Sequence, residues 1–195
     1  MGAIRMKMFK TLALGAAVSV GLLGASTATA LTQGDLANES IGIFDITLEI
    51  GSVVQINSLE NLPLTYVPGD SPDGGKANGI VEFCVYSNAA SNGYKITATG
   101  AYNDGSNQAG FALGDNSGAS ISYQAWIKAQ ALNASSSDIA IPANGGPVST
   151  TLTGSGTLNC GNTDNTSIFV ETENNLETKD IGNYIGTLTL TVEPA

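Results

Sequence analysis

Residues 184–192 read YIGTLTLTV, with Ile185, Thr187, Thr189 and Thr191 on one side of a period-two pattern and Leu188, Leu190 and Val192 on the other. Such alternation marks a half-buried β-strand, one row of side chains on a core and the other in water. Working back from there, residues 167–172 (SIFVET) and 79–87 (GIVEFCVYS) read the same way. In the latter, Val81, Phe83 and Val85 form the cleaner apolar face, and Ile80, Glu82, Cys84 and Tyr86 the other. The turn AASNG at 89–93 and the run YKITAT at 94–99 follow, a pattern that predicts a hairpin. Residues 121–132 (ISYQAWIKAQAL) alternate at Ile121, Tyr123, Ala125 and Ile127 and predict a strand, although 125–132 would also suit a helical turn. Leu62, Leu64 and Tyr66 predict a short strand that Pro63 confines to an edge or a strand start. Residues 68–75 (PGDSPDGG), 103–110 and 134–147 read as loops by their turn chemistry. No segment sustains a helical period. Seven to ten short strands at this spacing predict an all-β, immunoglobulin-like Greek-key β-sandwich.

Composition agrees and removes several functions. The 195 residues include 24 Gly and no His, with 7 Lys+Arg against 17 Asp+Glu, a formal charge of −10. No basic face for nucleic acid can be built from so few cations. Without histidine there is no Ser-His-Asp triad and no imidazole metal ligand. Neither GxSxG nor a Walker motif occurs. Glu171 and Glu173, or Asp70 and Asp73, are close enough in sequence for paired-carboxylate chemistry, but a solvated strand face and loop turns explain them more simply. Asp70, Asp73, Asp104 and Asp115 sit in Gly-rich loops without the EF-hand pattern, so Asx-turns are preferred to calcium. Trp126, the one tryptophan, reads as core rather than as a sugar platform. The expectation is therefore no enzyme, no catalytic residue, no metal and no cofactor.

The N-terminal part carries an address and then an oddity. Arg5, Lys7 and Lys10 precede an apolar run at 11–24 (TLALGAAVSVGLLG), and Ala28-Thr29-Ala30 follows. This is the pattern of a secretory signal peptide over residues 1–30, the apolar run of 14 residues being short of a membrane span. No later segment is expected to span a membrane. Cleavage after Ala30 leaves four lysines and all seventeen acids, a charge of −13. In an oxidising compartment, two cysteines predict a Cys84–Cys160 disulfide, which would stabilise by about 4 kcal/mol through loop closure. Residues 31–40 (LTQGDLANES) are polar and lead into IGIFDITLEI at 41–50. There Ile41 and Ile43 occupy one phase and Phe44, Ile46, Leu48 and Ile50 the other. The second phase predicts a strand that Val53, Val54 and Ile56 extend beyond a bend at Gly51. The phase switch makes 31–50 a distinct N-terminal extension ahead of a domain over 51–195.

Taken in order, these motifs resemble the spore coat protein U-like domain and related pilin subunits of the archaic and alternative chaperone–usher pathways. GIFDITLEI (42–50) resembles their apolar N-terminal extension, and FCVYSNAASNGYKITATG (83–100) their cysteine-bearing strand, turn and return strand. SYQAWI (122–127) is similar to their central strand and GNYIGTLTLTV (182–192) to their terminal one. Where family members often carry a cysteine soon after the first strand, GSVVQINS (51–58) has none. The resemblance implies an incomplete sandwich that lacks its last strand and is completed by a donor strand from the next subunit. It makes Ile41, Ile43, Phe44, Ile46 and Leu48 the candidate donor-strand residues. It implies copies of the same chain, a periplasmic chaperone and an outer-membrane usher as partners, and a cell-surface fimbrium for adhesion or biofilm formation. The alternative is a self-complemented β-sandwich binding module or a tip adhesin for a glycan.

Overall fold

In a computed structural model, the structure describes residues 36, 39–42, 44–69, 75–102, 110–115 and 117–195. The signal peptide expected at 1–30, Ile43, and the loop residues Asp70, Asp73 and Asp104 lie outside the described residues. The chain divides into residues 1–49 and a compact unit over 50–195. The compact unit is all-β, and its described residues hold nine strands: β1 (Val54–Asn57), β2 (Asn78–Ser87), β3 (Gly93–Tyr102), β4 (Ala112–Gly114), β5 (Ser120–Ala129), β6 (Ile139–Ala140), β7 (Leu152–Thr153), β8 (Thr166–Thr172) and β9 (Gly186–Pro194). They form two antiparallel sheets in an immunoglobulin-like sandwich, the larger in the order β1-β2-β8-β5-β4 with β6 also on β5, the smaller in the order β7-β3-β9.

The core forms where the alternating apolar rows of the two sheets meet. Phe83 and Val85 of β2, Ile127 of β5 and Ile168 of β8 face Tyr94, Ile96 and Ala98 of β3, all of them almost wholly shielded from water. Phe83 and Val85 thus take the core side, as the alternation predicts, and Cys84 takes the other. There it is covered by the turn Leu158–Gly161, where Cys160 closes the predicted disulfide. That turn adopts left-handed backbone at Asn159, Cys160 and Asn162.

Three expectations need correction. β2 and β3 are not a hairpin: β2 pairs with β1 and β8, whereas β3 pairs with β7 and β9. The turn chemistry is present, with left-handed Ser91 and Asn92 and the Ser87 hydroxyl donating to Gly93 O at 2.8 Å. It carries the chain across the sandwich instead of back along the same sheet. Next, residues 62–66 keep the predicted burial alternation, with Leu62, Leu64 and Tyr66 half-buried, but join neither sheet. This segment lies against β2 at Gly79, where an added Cβ would meet the Leu62 and Leu64 side-chain ends at 2.9 Å. Last, 44–50 is no half-buried strand. Both phases are exposed, Phe44 at 69%, Ile46 at 84% and Leu48 at 82%, and the ladder begins only at Val54. Alternation announces a chain that favours extended backbone, but a strand exists only where another offers hydrogen bonds. The region 121–132, left between strand and helical turn, is strand through Ala129 and ends at left-handed Gln130.

Candidate functional site

Among the described residues β9 pairs with β3 alone; just ahead of it, Ile185 exchanges two backbone hydrogen bonds with Gly114 at the end of β4, at 2.9 and 2.8 Å. Nine residue pairs join β9 to β3, from Tyr94↔Pro194 to Tyr102↔Gly186, and no strand among the described residues pairs with its other side. Ala195 N donates to Gly93 O at 3.2 Å, which fixes the phase of that ladder. In an antiparallel pair the backbone groups of alternate residues point to opposite sides. The odd-numbered residues of β9 therefore turn their N–H and C=O to β3, and Gly186, Leu188, Leu190 and Val192 turn theirs to the open edge. Pro194, which has no N–H to offer, also falls on the open side, where its missing donor costs no ladder bond.

The same residues are short of apolar cover. The side chains of Leu188, Leu190 and Val192 face the core yet stay only half-buried, while Thr187, Thr189 and Thr191 on the opposite face are exposed. Beside them runs a groove of about 300 Å³. One rim is Gly186, Thr187, Leu188 and Leu190 of β9; the other is Leu59, Glu60, Asn61, Leu62 and Leu64. Val81, Tyr123, Ile168 and Val170 of the larger sheet form its floor, and Leu113 also lines it. The rim formed by 59–64 makes no backbone–backbone hydrogen bond among the described residues. Two stretches of backbone with unused hydrogen-bonding groups therefore flank an apolar trough that opens onto the core.

Long, uncovered edges of this kind are what soluble β-proteins usually avoid by charge, bulge or cover. From Gly186 to Val192, β9 has no charged residue and no proline, and the sole charge lining the groove is Glu60. Apart from Glu60, Asn61, Thr187 and the Tyr123 phenol, the residues lining the groove are aliphatic or glycine. The floor is dry enough that burial pushes the Tyr123 phenol up to about 12, as it does Tyr94 in the core.

The other candidates are dispersed. Glu171 and Glu173 each pair with their own lysine, Lys76 at 2.6 Å and Lys179 at 2.8 Å. The hydrogen bond from Lys179 holds the Glu173 carboxyl below its ordinary range. Asp115 caps the β4–β5 turn, accepting from Ser117 Oγ at 2.7 Å, Ser117 N at 2.9 Å and Ala119 N at 2.8 Å. The Ser117 hydroxyl is the main reason its pKa is lowered. This is the Asx-turn the sequence predicts. Trp126 lies nearly buried against Phe169, ring centroids 5.7 Å apart, on the face of β5 away from the core. Among the described residues no group of three metal-ligating side chains forms, and no helix is long and apolar enough to cross a membrane.

Of the predicted donor-strand residues, Ile41, Phe44, Ile46 and Leu48 are all exposed. Leu59, Leu113 and the open side of β9 were not singled out by the sequence. The one signal for the open side of β9 is the Thr/Leu alternation of 186–192 itself, which marks Leu188, Leu190 and Val192 as an apolar row.

No protein-family model matches the chain, and no curated protein matches it. Among solved structures, it is similar to a chain from a chaperone–tip adhesin complex described as vital for synergistic activation of CFA/I fimbriae biogenesis. The identity is 14%, with a TM-score of 0.47 over 73% of this chain and 42% of that one. This chain therefore spans less than half the length of that structure.

Proposed function

We propose that this protein is a structural pilus subunit that polymerises by donor-strand exchange into a surface filament serving adhesion or biofilm formation. The observation that carries the reading is the open groove beside β9, together with an exposed alternating segment in the same chain that has the shape to fill it. Phe44, Ile46, Leu48 and Ile50 span seven residues, about 23 Å of extended chain. Gly186 to Val192, whose even-numbered members face the core, is also seven residues long. The extension of one copy would add as a strand to β9 of the next. Main-chain bonds give it affinity and the alternate apolar side chains fill the trough. Its other phase, Asp45, Thr47 and Glu49, would remain in water.

Donor and acceptor are different surfaces of one chain, so the contact is heterologous, the kind that propagates into an open filament when its rotation does not close. An unfilled groove is an aggregation hazard before assembly. A periplasmic chaperone that occupies it and an outer-membrane usher that receives the subunit are the partners this reading requires. Export would use the N-terminal signal, and the assembled product would sit on the cell surface. The role is structural and assigns no catalytic residue.

The test is substitution in the donor phase. Each apolar side chain of Val, Leu or Phe size stabilises by about 1.5–3 kcal/mol on full burial, whereas an unpaired carboxylate in the trough carries a larger opposing cost. Ile46→Asp or Leu48→Asp should abolish polymer while export continues. Surface-sheared protein is run on a denaturing gel, unheated and after boiling in acid. Wild type is expected to give an unheated ladder that collapses to one band, and the variants a single band in both lanes. Normal ladders from both variants would overturn the assignment.

A further inference from the structure

Residues 51–53 join the donor segment to β1, and one asparagine holds them. Asn88 is the first residue beyond β2. Its backbone N–H donates to Val53 O at 3.2 Å, its side-chain Oδ1 accepts from Val53 N at 2.6 Å, and its Nδ2 donates to Gly51 O at 3.0 Å. The last β1–β2 pair is Val54↔Ser87. The Asn88 amide continues that ladder beyond its end, standing in for backbone that β2 no longer supplies. Asn165 does the same for Val85, accepting from its N–H at 2.9 Å and donating to its carbonyl at 3.0 Å. Among the described residues no strand pairs with the side of β1 away from β2.

Any chain carrying both a donor segment and an acceptor groove could fill its own groove and stop. The shortest route is a hairpin with 51–53 as a three-residue loop, a length antiparallel strands accept readily. Gly51 carries no Cβ and suits the backbone such a turn needs. In that hairpin Ile50 would lie opposite Val54 and Phe44 opposite Glu60, which is on the rim of the groove. Phe44 would then reach the rim of the chain's own groove, while Leu48 and Ile50 would extend the β1 edge beside Ile56 and Val54. With 51–53 kept in line with β1, the reversal has to come earlier. A loop at 48–50 places Ile41 opposite Asn57, short of the rim that starts at Leu59, and takes Leu48 and Ile50 into the turn.

Resting on the donor-strand reading above, we infer that Asn88 is a positioning residue that denies the chain its own donor strand and leaves that strand for a second copy. The specificity for an intermolecular partner then comes from one exposed amide at the exit of the segment, outside the groove itself.

The experiment uses monomer refolded from dissociated filaments of wild type, Asn88→Ala and Asn88→Asp, with a fluorescent peptide of residues 41–50 as probe. Wild-type monomer should take up the peptide and repolymerise. Asn88→Ala should repolymerise at least tenfold less at the same concentration. Its monomer should melt no lower than wild type and refuse the peptide, because Phe44 already occupies the rim of its groove. Asn88→Asp keeps an acceptor for Val53 but loses the donor to Gly51, and should lie between them; it carries the test if Asn88→Ala does not fold. Repolymerisation and peptide uptake equal to wild type in a folded variant would overturn the inference while leaving donor-strand exchange intact. Wild-type monomer that neither polymerises nor binds the peptide would overturn the donor-strand reading, and this inference with it.

Discussion

β5 and β9 carry the same period-two pattern and meet different fates. β5 has β8 on one side and β4 and β6 on the other, and its apolar row Ile121, Tyr123, Ala125 and Ile127 is buried from end to end. Among the described residues β9 pairs with β3 alone, and Leu188, Leu190 and Val192 are half-buried. Residues 44–50 extend the series: the same alternation without a ladder, and full exposure. Pattern decides that a segment is strand-like, whereas partners decide how much of it leaves water. The two under-partnered segments are the ones assigned to function here.

The largest expected contrast is between the finished and unfinished parts of the core. Phe83 of β2 is fully buried beneath paired strands. Phe83→Ala should cost about 3–5 kcal/mol in urea unfolding, the loss usual for a large buried aromatic. If the cost came nearer 1 kcal/mol, the closed half of the sandwich would be no better packed than the open half.

Alkaline titration compares the same two places through tyrosine. Tyr94 sits in the core and Tyr123 on the groove floor, and burial raises both phenols to about 12. Both remain neutral in the folded chain where an unfolded phenol, near 10, has begun to ionise. The sign follows: their contribution to stability is complete below pH 10 and is lost as pH rises from 10 toward 12. Absorbance at 295 nm should show two phenols ionising only near pH 12 in folded protein, returning to about 10 in denaturant. Tyr123 titrating normally while Tyr94 does not would mean that the unfilled groove is wet.

Much of the architecture is legible because the long strands state themselves. β2, β5, β8 and β9 each hold seven or more residues in which one row is apolar, and all four emerge from the sequence. β4, β6 and β7 hold three, two and two residues, too few for any period to register. The 87–94 connection misleads because turn residues fix the reversal and not the sheet that the chain enters next. The site is legible by halves. The donor-like segment is visible as a phase switch between Ile43 and Phe44. The acceptor is not, since nothing local in TLTLTV tells whether Leu190 has a second strand beside it. Asn88 is invisible for a similar reason: an asparagine after a strand reads as turn chemistry until its amide is found on Gly51 and Val53.

The smallest and sharpest comparison lies within β9 itself, between neighbours that face opposite sides. Leu190 lines the groove and is half-buried, so Leu190→Ala should cost the isolated subunit about 1–2 kcal/mol, less than the 2–5 of a fully buried leucine. It should cost the filament more, because a donor strand would complete the burial that Leu190 lacks. Thr189 pairs with Thr99 on the water-facing side and should be nearly indifferent, with Thr189→Ala within about 0.5 kcal/mol by urea unfolding and polymer yield unchanged. Equal losses of polymer from the two variants would mean that β9 assembles through its threonine face, and the groove would no longer explain the open edge.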